Sequence, residues 1–173
     1  MFELIKKDLK RSTGKTSFLA FIKQTFKSTG FQVVLLYRTS SYFRRLKWTP
    51  LSFVIDKVMF YGWSAEIRSS AVIGGGFNIA HAAGIVIGGK VIIGENFSVR
   101  QNVSIGGNTG KHRKGALKWT QPVIGDNVLV GCNTAILGPI TVGNNSLIGA
   151  CSLVIKDIPS NETWGGVPAK CLK

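Results

Sequence analysis

Between residues 124 and 154 an aliphatic side chain returns at every sixth position: Ile124, Val130, Ile136, Val142, Ile148 and Val154. Gly125, Gly131, Gly143 and Gly149 directly follow four of them. Four residues after each aliphatic, from Val128 through Thr134, Ile140 and Ser146 to Ser152, stands a small or β-branched side chain. A helix repeats its apolar face about every 3.6 residues and a half-buried strand every second residue, so a period of six fits neither. It fits a parallel β-helix, in which each short strand turns a corner and stacks on the coil before it. The aliphatic points inward to fill the coil, and the glycine after it is expected to permit the tight corner.

Upstream, Ile67, Ile73, Ile79 and Ile85 keep the same period, and after a slip of two residues it resumes at Ile87, Ile93, Val99 and Ile105. The next aliphatic in phase, Ile124, comes nineteen residues later. The coil is therefore interrupted once, by a loop over 107–121, and a long insertion into a regular solenoid usually carries function. The pattern predicts a mainly β chain: a parallel β-helix of about five coils over 64–157, a tail over 158–173, and a helical cap over 1–63.

Within 1–63 the apolar spacing turns helical. Phe2, Ile5 and Leu9 share one face of a short helix that breaks at Ser12-Thr13-Gly14. A second helix is predicted from Thr16 to Lys27 and a third from Phe31 to Leu46. A fourth opens with Thr49 as N-cap and Pro50 at the first helical position, runs to Tyr61, and should turn Leu51, Val54, Ile55, Val58 and Met59 inward. Two readings fit these basic, aromatic-interleaved helices: a cap over the open first coil, and peripheral attachment to anionic lipid.

The chain carries a net charge of +14, which calls for an anionic partner. Residues 1–63 hold 12 Lys and Arg against 3 Asp and Glu. No groove-reading motif accompanies the charge, so nucleic acid is not expected; a membrane surface, an acidic polysaccharide or a nucleotide cofactor fits. Cys132, Cys151 and Cys171 show no CxxC or Cys/His metal spacing. They read as free thiols in a reducing compartment, with no metal. Charges interrupt the N-terminus where a signal peptide needs an apolar run, and no stretch approaches the roughly 18 apolar residues of a membrane span. A cytoplasmic protein, with peripheral membrane contact left open, is the expectation.

His81 is the first candidate for chemistry. It breaks an aliphatic coil two residues after the inward Ile79, so its ring should emerge at a corner. Its segment, Asn78-Ile79-Ala80-His81-Ala82-Ala83-Gly84-Ile85-Val86-Ile87-Gly88, is similar to the HATGIVIG segment of serine acetyltransferases and related sugar O-acetyltransferases. From Glu66 to Lys173 the hexapeptide pattern resembles the left-handed β-helix acyltransferases, and the left-handed coiling is taken from that resemblance.

The resemblance implies acetyl-CoA as acyl donor and a homotrimer with active sites between neighbouring prisms. It makes His81 the general base on an acceptor hydroxyl, a task suited to imidazole. Glu66 stands where the serine enzymes carry an Asp fifteen residues before this His, so it would fix the imidazole tautomer; the alternative is an exposed edge residue. Gly106 and Gly107 match a Gly-Gly whose amides could reach the thioester. Cys132 and Ala150 fall at small positions along which the pantetheine arm lies. Gly166-Val167-Pro168-Ala169-Lys170 matches a G-x-P-A-[KR] ending, with Lys170 on a CoA phosphate.

The insertion offers Trp119 to stack on a sugar ring, and Lys111 and Arg113 to hold an acidic glycan or CoA phosphates, unless it is simply a solvated loop. Its Gly110-Lys111 fails the phosphate-loop pattern, and His112 reads as a bystander. Two departures from the serine enzymes bear on the acceptor. Ala80 replaces the Asp before the His, and Thr120-Gln121 replaces an Arg-His pair. The likeness therefore points to the O-acetyltransferases of capsule, O-antigen and exopolysaccharide synthesis, with a carbohydrate acceptor. Serine O-acetyltransferase is the alternative within the class, and a non-catalytic binding scaffold the alternative outside it.

Overall fold

The computed structural model describes residues 1–107 and 121–173. The aliphatic period becomes three stacks of two- and three-residue strands wound as a left-handed parallel β-helix. The first face stacks β1 (Glu66–Ile67), β4 (Val86–Ile87), β7 (Ser104–Gly106), β10 (Ala135–Leu137) and β13 (Leu153–Val154). The second stacks β2 (Val72–Ile73), β5 (Ile92–Ile93), β8 (Val123–Ile124) and β11 (Thr141–Val142). The third stacks β3 (Asn78–Ile79), β6 (Ser98–Val99), β9 (Leu129–Val130), β12 (Leu147–Ile148), β14 (Thr163–Gly165) and β15 (Lys170–Cys171). So short a strand cannot stand alone, and its amides and carbonyls are satisfied by the coils above and below. Register puts like residues in columns: Ile67 over Ile87, Ile105, Ile136 and Val154 forms one wholly buried column of the core.

The corners differ from the sequence reading. Gly125, Gly131, Gly143 and Gly149 do not take the left-handed conformation; the residue three places after the aliphatic does, at Asn96, Asn102, Asn127, Asn133, Asn145 and Cys151, with φ between 55° and 58°. Asparagine tolerates that region better than most side chains because its amide bonds locally. On the edge between the second and third faces the amides form a ladder, Asn96 donating to Asn127 (3.0 Å), Asn127 to Asn145 (3.0 Å) and Asn145 to Asn161 (2.9 Å). The glycines serve close stacking instead. A Cβ on Gly131 would lie 2.5 Å from the Ala150 amide nitrogen in the next coil. Replacing Asn127 with valine should cost about 1–2 kcal/mol in urea unfolding, and with glycine less. Equal losses would exclude the left-handed corner as the cause.

Four helices precede the coils: α1 (Phe2–Thr13), α2 (Phe18–Lys27), α3 (Thr29–Arg45) and α4 (Thr49–Trp63). Gly14 ends α1 in the left-handed conformation, and Ser17 and Ser28 cap α2 and α3 by accepting from Ala20 N (3.3 Å) and Phe31 N (3.2 Å). Thr49, expected as the N-cap of α4, lies inside the helix; the capping position is Trp48, without a side-chain bond.

Helix α3 roofs the first coil. The Tyr37 hydroxyl donates to the Ala71 carbonyl (2.9 Å), and its ring stands edge-on to Phe77, which stacks on Phe97 of the coil below. Burial pushes the Tyr37 phenol above its usual value, which keeps it a neutral donor. Beside it lies a buried ion pair. Arg38 Nε and Nη2 donate to the two Asp8 oxygens (2.9 and 3.0 Å), and Nη1 and Nη2 reach the carbonyls of Ile73 and Gly74 (both 2.6 Å). Asp8 also accepts from Phe77 N (2.8 Å), so one network ties α1, α3 and the first coil together.

Helix α4 keeps Met59 inward as expected, with Ile55 half-buried, but turns the rest of the expected face outward. Ser52 and Met59 are its buried residues, while Leu51, Val54 and Val58 are 37%, 54% and 48% exposed. Its contact with α3 includes a polar cluster: Ser40 Oγ donates to Asp56 Oδ1 (2.5 Å) and meets Ser52 Oγ (2.9 Å), while Ser69, from the first coil, donates to the other Asp56 oxygen (3.3 Å). Among the described residues no helix is long and apolar enough to cross a membrane.

Candidate active site

The two-residue slip between Ile85 and Ile87 has a structural meaning. On the edge between the third and first faces, the turns over 100–103, 131–134 and 149–152 each take four residues, but the turn over 80–85 takes six. Ala82 and Ile85 fill its interior, and the extra length carries His81 out to solvent. No side-chain hydrogen bond restrains the ring among the described residues. Below it the turns stack closely: Asn102 N donates to Ala83 O (2.9 Å), Asn133 N to Gln101 O (3.1 Å) and Cys151 N to Cys132 O (2.8 Å).

Cys132, Ala150 and the Gly166–Ala169 turn thus lie on the same edge as His81. Gly166 O and Ala169 N bond to Leu153 (3.0 and 2.8 Å), and exposed Lys170 follows in β15. Coils stack at about 4.8 Å, so the three steps from the His81 turn to the Ala150 turn span roughly 14 Å. The edge is a long shallow track with an imidazole at one end and small side chains along it.

Glu66 begins β1 beside this turn, with Ser64 O accepting from Gly84 N (2.9 Å) and Glu66 N donating to Ile85 O (2.8 Å). Its carboxylate meets Arg68 Nη2 at 2.7 Å and not His81. That pair is half-exposed, so its hold on the carboxylate is weak. Gly106 and Gly107 sit at the other end of the first face, across its width from His81. A Cβ on Gly106 would meet nothing within 4 Å, so packing inside the chain does not require glycine there. Lys111, His112, Arg113, Trp119 and Thr120 lie outside the described residues.

One cation was missed. Ala80 N donates to Val99 O (3.1 Å), which stacks exposed Arg100 directly beneath Ala80. Among the described residues its guanidinium has no ion-pair partner. The signal was available: Arg100 follows Ala80 by one coil, in the same corner phase. The described residues hold no cluster of three or more His, Cys, Asp or Glu that could hold a metal ion.

A family described as bacterial transferase hexapeptide (six repeats) matches residues 121–156. The chain is 40% identical over 147 residues to a serine acetyltransferase of Buchnera aphidicola subsp. Schizaphis graminum, a match covering 83% of this chain and 54% of that protein. It is 34% identical over 170 residues to a serine acetyltransferase of Bacillus pumilus, covering 98% and 76%. A serine acetyltransferase from Brucella abortus strain S19, solved in complex with coenzyme A, superposes with a TM-score of 0.86 at 27% identity, covering 99% of this chain and 67% of that one. The chain thus spans from about half to three quarters of the length of these curated relatives. These matches overturn the expected carbohydrate acceptor and the place in capsule, O-antigen or exopolysaccharide synthesis: the relatives are serine acetyltransferases. The expectation had rested on Ala80, Thr120 and Gln121 standing where the serine enzymes carry Asp, Arg and His.

Proposed function

Because the chain belongs to the hexapeptide-repeat transferases, serine acetyltransferase-like branch, we propose that it is an acetyl-CoA-dependent serine O-acetyltransferase. The observation that carries this is the track itself: an exposed imidazole at the head of an edge that runs about 14 Å to the Ala150 turn, surfaced by Cys132 and Ala150, with Lys170 beyond it. A thin, extended thioester suits that shape, with its acyl carbon at His81 and its phosphates toward Lys170.

His81 takes the proton from the serine Oγ as that oxygen attacks the thioester carbonyl. The C–O bond forms, the C–S bond breaks as the tetrahedral intermediate collapses, and the imidazolium returns the proton to the departing thiolate. Glu66, released from its half-exposed contact with Arg68, steadies the imidazolium. Arg100 supplies a cation for the serine carboxylate. A homotrimer completes the site, a neighbouring prism walling an edge that one chain leaves open, with Gly106 and Gly107 reaching it from such a neighbour.

The test is thiol release from acetyl-CoA with and without L-serine. Saturable release is expected; release that stays at the hydrolysis background overturns the reading. Ala80→Asp restores the carboxylate that the serine enzymes carry before this His. It should lower the KM for serine about tenfold, the worth of one charge-assisted hydrogen bond, and leave that for acetyl-CoA unchanged.

A further inference from the structure

Helix α2 buries no residue fully, although five of its ten residues are large and apolar, and four of these share one outward arc. Phe18, Leu19, Ile22 and Phe26 are 77%, 75%, 38% and 83% exposed. At 3.6 residues per turn these four fall within an arc of about 100°. Lys23 and Lys27 follow directly on one flank. The opposite flank holds α2 on α3, with Phe21 edge-on to Phe31 at 5.9 Å. The apolar arc is therefore turned away from the protein and bordered by ammonium groups.

The same two lysines line a second feature. Between the end of α1 and the start of α2 lies a cavity of about 410 Å³, with Ser12, Thr13, Lys15, Ser17, Lys23, Gln24 and Lys27 as its polar wall and Leu19 and Ala20 as its apolar side. Among the described residues these three lysines form no ion pair. Residues 1–27 carry seven Lys and Arg against two Asp and Glu. Cations and hydroxyls in a hollow, beside an outward arc of phenylalanine and leucine, match a phosphate head group at the boundary of its acyl chains.

We propose that α2 and this cavity dock the protein on an anionic phospholipid surface, the cavity taking the head-group phosphate while Phe18, Leu19, Ile22 and Phe26 enter the interface. A second copy is a poor occupant in the antiparallel arrangement, where a two-fold contact through this face would oppose lysines to lysines. The outer face of α4 is also apolar, but Lys57 is its one basic residue and its nitrogen already lies 5.3 Å over the Phe53 ring.

Flotation with vesicles tests this. The protein should float with phosphatidylcholine mixed with phosphatidylglycerol and not with phosphatidylcholine alone. Lys23→Gln with Lys27→Gln should lower the partition coefficient about thirtyfold, and Phe18→Ser with Phe26→Ser should abolish flotation. Lys90→Gln with Lys156→Gln removes as much charge from the β-helix and should change the coefficient by less than about threefold. Thiol release in solution should be unchanged in every variant, which confirms that each has folded. Wild-type protein that stays unbound, or an equal loss from both lysine pairs, overturns the proposal. So does a phenylalanine variant that changes the sedimenting mass and still floats, which would assign the face to a second copy.

Discussion

Replacing His81 with alanine should cut thiol release from acetyl-CoA by about 10²–10⁴, the span expected of a lost general base. The turn over 80–85 keeps its fold through buried Ala82 and Ile85, whereas His81 is exposed. Stability and coenzyme A affinity should therefore match the wild type, and equilibrium binding of coenzyme A separates loss of the base from loss of the donor site. Turnover near normal in the variant would remove His81 from the mechanism. An equal loss of coenzyme A affinity would make it a binding residue.

The second large effect is on stability. Arg38→Ala should destabilise the protein by about 3–5 kcal/mol, because it strands a carboxylate that has no other cation. Asp8 is fully buried, and what remains to it is the Phe77 amide. The Ile73 and Gly74 carbonyls would lose their guanidinium donors as well. For a chain of this size the loss corresponds to a drop in Tm of roughly 6–20 °C. Arg38→Met combined with Asp8→Leu should recover much of it, since removing both charges avoids the unpaired burial. A double variant no better than Arg38→Ala would assign the loss to packing.

The coils are legible because each repeat buries one aliphatic on each face, while the polar side chains that are also buried, Thr134, Ser146 and Ser152, are small and bond to backbone carbonyls. Corners were harder to read. The asparagines three places after the aliphatics keep the same period as the glycines, but glycine is the residue commonly associated with left-handed turns and drew the inference. Helix α4 misled for a different reason. Leu51, Val54 and Val58 form a good apolar stripe, yet Ser40, Ser52 and Asp56 bond across the α3 contact and turn that stripe outward. Hydrophobic spacing says which residues share a face, not which face meets a partner. At the site, spacing alone marked His81 as projecting from a corner. Arg100 escaped notice because its relation to Ala80 exists only once one coil is laid on the next.

The reversal at Pro168 matters beyond the placement of Lys170. A stack of parallel strands has no intrinsic length: its last coil offers the same bonding edge as every coil before it, ready to seed the strand of another molecule. Here β15 runs antiparallel against β14, with Gly165 opposite Lys170. A lysine and a reversed strand are poor templates for a further parallel coil. With α3 roofed over the opposite end, the first coil is covered and the third face ends in a reversed strand, which disfavours growth by further parallel coils.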